Sequence, residues 1–192
     1  ASDIVGGVVC ADSDFIGGLM DLHLGPLMIL GPTMDPGVAS QISLRLPHLS
    51  LRVAEHSRRA MLFASRLHEM GQKVIYPGLA HHPDHNLISE LHSASYGYGG
   101  ILTLILPSAE DAQRLMKVLQ NDYQFGFMAV SLGYFDTLMS CPALSTSSEM
   151  EPDQLAAAGI DSGLLRLSIG YTGSVEQRWR QLQTALRDVA LG

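Results

Sequence analysis

The sequence predicts an α/β fold on three observations. Short apolar runs of strand length alternate with longer amphipathic segments of helix length. Glycine and proline clusters separate them, and the clearest helical segments carry end signals: a serine cap at Ser108 and a glycine stop at Gly71.

Taken in order, Ile4 to Ala11 is β-branched, apolar and flanked by glycine, the pattern of a fully buried strand. From Asp12 to Pro47, Gly17-Gly18, Gly25-Pro26, Gly31-Pro32 and Asp35-Pro36-Gly37 cut the chain into short helical and loop pieces. Between His48 and Met70, the residues Leu49, Val53, Ala60, Phe63, Ala64, Leu67 and Met70 fall largely on one face of a helix that stops at Gly71. Lys73 to Tyr76 reads as a strand ended by Pro77-Gly78, followed by a polar loop. Ile101 to Leu106 reads as a strand, the acidic segment after Ser108 as a helix to about Leu119, and Phe127 to Leu132 as a strand. A small-residue loop from Met139 to Met150, a short helix near Pro152 to Ala158, the strand Leu164 to Ile169 and an amphipathic helix from about Ser174 to Leu191 complete the series.

The 192 residues suffice for one ordinary domain, or for a small domain plus part of another. A composition of 46% hydrophobic and 16% charged residues fits either a well-packed monomer or extensive contacts with other chains. The net charge of −7 argues against nucleic acid or an anionic membrane as a partner. No window approaches the roughly 18 consecutive apolar residues of a transmembrane helix, and no signal-peptide pattern opens the chain. Cys10 and Cys141 stand far apart in unrelated contexts and read as reduced, buried or inert thiols of an intracellular protein. The nine methionines are more economically core filler than a binding surface.

Arg166 carries the strongest chemical signal. Strand alternation puts it on the face of Leu164 and Ser168, opposite Leu165, Leu167 and Ile169. An arginine in an apolar strand asks for an anion, and its rigid fork of donors matches a carboxylate. That anion is either a ligand or a buried acid of the protein itself. Ser131 ends an apolar strand before Leu132-Gly133, where it is either an ordinary turn residue or a ligand contact. The run His81-His82-Pro83-Asp84-His85 invites a zinc reading, but it lacks cysteine and a second cluster at ligand spacing. Gly97-Tyr98-Gly99-Gly100 is followed by no Lys-Ser/Thr and opens no helix, so it reads as a strand entry with unusual backbone angles rather than a phosphate loop.

Together, Ala1 to Gly7, Ser131 to Leu138 and Gly163 to Gly170 resemble the Cys/Met-metabolism family of pyridoxal-phosphate enzymes, and the likeness runs from end to end. Tyr76 to Leu79 with His82 to His85 matches a recurrent loop of the family, which gives the imidazoles a non-metal account. Leu51 to His56 matches a family helix in which Arg52 and His56 are read as structural. Gly97 to Gly100, Gln124 to Ser131 and Thr137 to Cys141 look most like the methionine γ-lyase-type members of plants and green algae.

The resemblance implies a fold-type-I enzyme of the aspartate-aminotransferase kind. Residues 1–47 would be the tail of the large cofactor domain and 48–192 the small C-terminal α/β domain. It assigns Arg166 to the substrate α-carboxylate and Ser131 to a second substrate contact. Asp136 stands where relatives usually have glutamate, which puts that side chain's contacts in doubt. The family's Schiff-base lysine lies just before the segment matching Ala1, so neither Lys73 nor Lys117 is nominated and no catalytic or cofactor-binding residue is assigned. Pyridoxal phosphate would be held through an N-terminal half, with this chain as the C-terminal fragment of a homotetramer, a dimer of dimers acting on a small amino acid, cytoplasmic or, if a transit peptide was removed, organellar. The implied reaction is α,γ-elimination of methionine; the alternatives are the transsulfuration reactions of cystathionine γ-synthase or a cystathionine lyase, and a silent truncated relative serving as a structural or regulatory subunit.

Overall fold

The structure, a computed structural model, describes residues 3–145 and 147–190. Ala1 and Ser2 of the opening motif and Leu191 of the expected last helix lie outside them. The chain divides into two compact units with the boundary between Leu49 and Ser50.

The described part of the first unit holds the short α-helices α1 (Ser13–Leu19), α2 (Pro26–Leu30) and α3 (Pro36–Arg45), followed by a 3-10 turn at Leu46–His48. Asp12 caps α1 by accepting from the Phe15 amide at 2.9 Å, and Asp35 caps α3 by accepting from Val38 at 3.0 Å with Pro36 in the first turn. Arg45 grips Asp3 through two bonds of 2.7 and 2.9 Å. The buried strand expected from Ile4 to Ala11 is not formed: the segment is irregular, with Val5 91% and Val8 85% exposed. A β-branched run becomes a strand only beside another strand, and the described part of this unit offers none.

The second unit is built on α4 (Leu49–Glu69), whose Ala60, Phe63, Ala64 and Leu67 are buried. Its first turns are open, with Leu49 and Val53 partly exposed, while His56, Ser57 and Arg59 are buried instead. Gly71 adopts φ +77°, and the Gly71 and Gln72 amides close back on His68 and Leu67.

The remaining elements are β1 (Val74–Ile75), α5 (His85–Leu91), β2 (Ile101–Ile105), α6 (Ala109–Asn121), β3 (Gly126–Met128), β4 (Thr137–Ser140), α7 (Pro152–Ala157), β5 (Leu164–Ser168) and α8 (Val175–Ala190). Helix α5 occupies what reads in sequence as a polar loop, and β4 begins two residues before the expected small-residue loop. The strand expected from Phe127 to Leu132 stops at Met128; beyond the Ala129 amide, which bonds the Met139 carbonyl, Val130 to Leu132 leave the sheet.

The five strands lie in the order β1-β2-β5-β4-β3, antiparallel except for the β3/β4 pair. One face carries Leu102, Leu104, Leu165, Leu167 and Met139, all at most 1% exposed, into a core shared with Phe63, Leu115, Leu119 and Leu182 of the helices. Phe63 stacks on Phe125 and meets Trp179, while Arg66 lies over the Trp179 ring and pairs with Glu176 at 2.7 Å. The opposite face is only partly covered, and β5 runs through its middle.

Candidate functional site

On that open face Arg166 sits in register with Thr103 of β2 and Ser140 of β4. Burial of Leu165 and Leu167 fixes the strand's rotation, so alternation delivers Arg166 to this side. Its Nη2 donates to the carbonyls of Val130 and Ser131, each at 2.8 Å. Its Nε is buried without a hydrogen-bond partner among the described residues, and no acidic side chain pairs with it there. Of the two anions that the sequence left open, the described residues offer no internal acid. Burial holds the guanidinium pKa below its ordinary value, a cost that a bound anion would relieve.

Ser131 is beside Arg166, so the two predicted substrate residues are brought together. The contact runs through the Ser131 carbonyl; the residue itself is exposed. Past the exposed Leu132 the chain turns at Gly133, φ +71°, whose amide donates to Ser168 Oγ at 3.0 Å.

Helix α4 braces the turn that leaves β5. His56 Nδ1 meets the Ile169 carbonyl at 2.5 Å, and Arg59 donates to the carbonyls of Thr172 and Gly173 at 2.9 Å each. Glu55 aligns Arg59 at 2.6 Å and forks onto Arg58; the two guanidiniums, Arg58 foremost, hold its carboxyl down to about 2. The structural role expected of His56 is visible, whereas Arg59 was not singled out in the sequence. Its one legible signal is the i,i+4 spacing from Glu55. Asp136, despite its shorter side chain, accepts from the Thr172 hydroxyl and lies 3.6 Å from Arg178.

The other sequence candidates stand apart from Arg166 in their bonding. His81 stacks on His68, His82 accepts from the Asp84 amide, and His85 bonds the Pro77 carbonyl and stacks on Tyr98. Gly97 and Gly99 take φ of +66° and +89°, the unusual angles expected at the entry to β2, and the Gly99 carbonyl accepts from the buried Tyr76 hydroxyl at 2.9 Å. Cys141 is buried as expected, with its thiol pKa raised by burial, whereas Cys10 is exposed, so of the expected buried or inert pair only Cys141 is buried.

The lysines do not fit a cofactor linkage. Lys73 has a 72% exposed side chain 4.0 Å from Asp161, and Lys117 is on the exposed side of α6.

A family model described as Cys/Met metabolism PLP-dependent enzyme matches residues 1–187. Methionine gamma-lyase of Arabidopsis thaliana is 52% identical over 184 residues, which is 96% of this chain and 42% of the relative. L-methionine gamma-lyase of Porphyromonas gingivalis is 31% identical over 88% of this chain and 41% of its own length. Among solved structures, cystathionine gamma synthase from Xanthomonas oryzae pv. oryzae in complex with cystathionine superposes with a TM-score of 0.73 at 32% identity, over 85% of this chain and 41% of that one. The chain thus spans about two fifths of the length of the curated relatives it matches. The fold is that of the matched fold-type-I enzymes, and the α/β class expected from sequence holds with a mixed sheet.

Proposed function

The chain belongs to the Cys/Met-metabolism family of pyridoxal-phosphate-dependent enzymes, and we propose that it forms the substrate-carboxylate side of a methionine γ-lyase. The observation that carries this reading is Arg166: a half-buried guanidinium on the open face of the central strand, with a buried donor and no acidic partner among the described residues. Such a group selects an α-carboxylate by charge-assisted hydrogen bonds. Ser131 lines the same spot and is the second substrate contact in this proposal. What these residues do is bind and orient; they hold or move no proton.

The overall reaction in this reading takes L-methionine and water to methanethiol, 2-oxobutanoate and ammonia. The 52% identity to a methionine gamma-lyase supports it. Pyridoxal phosphate and its lysine would be supplied by the part of the enzyme over which the relatives extend beyond this match. Residues 1–47 are then the end of the cofactor domain and 48–192 the small domain. The exposed Val5, Leu24, Ile29 and Leu30 of the first unit support assembly with further polypeptide, in a homo-oligomer built as a dimer of dimers. The unpaired thiols Cys10 and Cys141 support a reducing, cytoplasmic setting.

Transsulfuration is the second reading, favoured by the likeness to a cystathionine gamma synthase holding cystathionine. The test is a holoenzyme built with this chain, given L-methionine in one reaction and an O-acylhomoserine with cysteine in another. Release of methanethiol and 2-oxobutanoate from methionine is the expected result. Formation of cystathionine alone would transfer the assignment to the second reading, and absence of the yellow cofactor band after reconstitution would leave a silent subunit.

A further inference from the structure

We infer that Ser168 is a positioning residue for carboxylate recognition, holding the 130–133 segment so that it sets the orientation of Arg166. The inference rests on the reading of Arg166 as the carboxylate site. Arg166 and Ser168 lie two residues apart on the same face of β5, and both grip one short segment. Arg166 Nη2 takes the carbonyls of Val130 and Ser131, and Ser168 Oγ takes the amide of Gly133.

An Nη2 nitrogen has two hydrogens, and both are committed to these carbonyls. The plane of the guanidinium, and with it the direction of the unpartnered Nε donor, therefore follows the position of the segment. Val130 is 55% and Leu132 57% exposed, and the flanking backbone ties are the Ala129 amide on the Met139 carbonyl at 2.9 Å before the segment and the Phe135 carbonyl, taken by the Tyr171 amide at 2.8 Å, after it.

Ser168 is 2% exposed and in register with two apolar residues, Ile101 and Leu138. A hydroxyl there is costly unless bonded, and its oxygen accepts from the Gly133 amide at the point where the segment turns back toward the sheet. A guanidinium free to swing presents its donors to a carboxylate for a smaller fraction of the time, and affinity falls by that fraction. A bond of this kind, removed, corresponds to a loss of about fivefold to tenfold.

The test uses the holoenzyme built with this chain and two unreactive probes, L-norleucine and L-norleucinamide, which differ only in the α-carboxylate. Their dissociation constants are measured for the parent, Ser168→Ala, Ser168→Thr, Arg166→Ala and the double variant, with amide hydrogen exchange of residues 129–135 followed in parallel. Ser168→Ala is expected to weaken norleucine about fivefold to tenfold, leave norleucinamide unchanged, speed exchange in the segment and add nothing once Arg166 is removed. Ser168→Thr, which keeps the acceptor oxygen, is expected to retain the preference for the carboxylate. Equal weakening of both probes, or faster exchange with an unchanged norleucine constant, overturns the inference and leaves Ser168 structural. If Arg166→Ala itself leaves the preference for norleucine over norleucinamide intact, the carboxylate reading fails first, and the positioning role with it.

Discussion

Along β5, successive residues meet different surroundings: Leu165 and Leu167 are fully buried beneath the helices, whereas Arg166, between them in sequence, keeps a donor in reserve on the half-open side. Ser168, beyond Leu167, is as buried as the leucines but spends its hydroxyl on the segment that touches Arg166. If Arg166 takes the carboxylate as proposed, one strand serves folding on one face and recognition on the other. Because side chains alternate, a change on the core face alters stability and leaves the recognition face in place, and the reverse also holds.

The largest effect that this separation predicts is on stability. Leu167→Ala removes a side chain with no exposed surface from the centre of the sheet and should cost about 2–5 kcal/mol, read as a lower midpoint in urea. The preference for a carboxylate probe over its amide should not change in the protein that remains folded; a changed preference would break the separation. Arg166→Ala is the converse. Loss of a charged hydrogen-bond donor should weaken carboxylate binding by about 1.5–3 kcal/mol, on the order of 10- to 100-fold. Unfolding free energy should move by about 1 kcal/mol or less, because the lost bonds to the Val130 and Ser131 carbonyls are offset by removal of a buried Nε that has no partner among the described residues. A large stability loss would show that Arg166 belongs to the folding face after all.

The two faces were unequally legible in the sequence. Helices α4, α6 and α8 and strands β2 and β5 announce themselves by apolar period and end signals, since burial on one face imposes that period. Strand β4 does not, because Thr137 to Ser140 are buried throughout and the pattern never alternates. Its Thr137 hydroxyl is satisfied by the Gly170 amide, 33 residues away, which a local reading has no means to see. Ile4 to Ala11 fails for the opposite reason: its residues suit a strand, but a strand also needs a neighbour. At the site, Arg166 and Ser131 were nominated through their motifs, and the fold brings the two together. The bonds of Ser168 to Gly133 and of Arg59 to Thr172 and Gly173 join residues 35, 113 and 114 positions apart and had no local signal.

A smaller effect sharpens the comparison on the side of α4, where charge rather than apolar contact supports the turn after β5. Glu55, held down to about 2 by its two arginines, has a folded pKa below its unfolded value of 4.5. Its contribution is therefore present above pH 4.5 and lost as pH falls toward 2. The carboxylate is partly exposed, so solvent screening limits the contribution to on the order of 1 kcal/mol. Glu55→Gln should remove that contribution at neutral pH and flatten the acid limb of the stability profile between pH 4.5 and 2, measured by urea unfolding at each pH. An unchanged acid limb would mean that Arg59 reaches Thr172 and Gly173 without the help of Glu55.

The two cysteines supply the mildest probe, because alkylation reports exposure without altering the fold first. Cys141 follows β4, is 2% exposed, and its thiol approaches the Ser162 carbonyl at 3.6 Å; burial raises its pKa and so lowers its thiolate fraction. Cys10, in the irregular opening segment, is exposed. Iodoacetamide at neutral pH should therefore modify Cys10 promptly, whereas Cys141 should react only as fast as the sheet opens. In the Leu167→Ala variant the Cys141 rate should rise with the loss of stability, since β4 and β5 are paired across Met139 and Leu167. In Arg166→Ala it should stay at the parent value. Mass-spectrometric labelling rates for both thiols in the three proteins decide the matter: a Cys141 rate that responds to Arg166 but not to Leu167 would mean that the open face, not the core face, holds the sheet together.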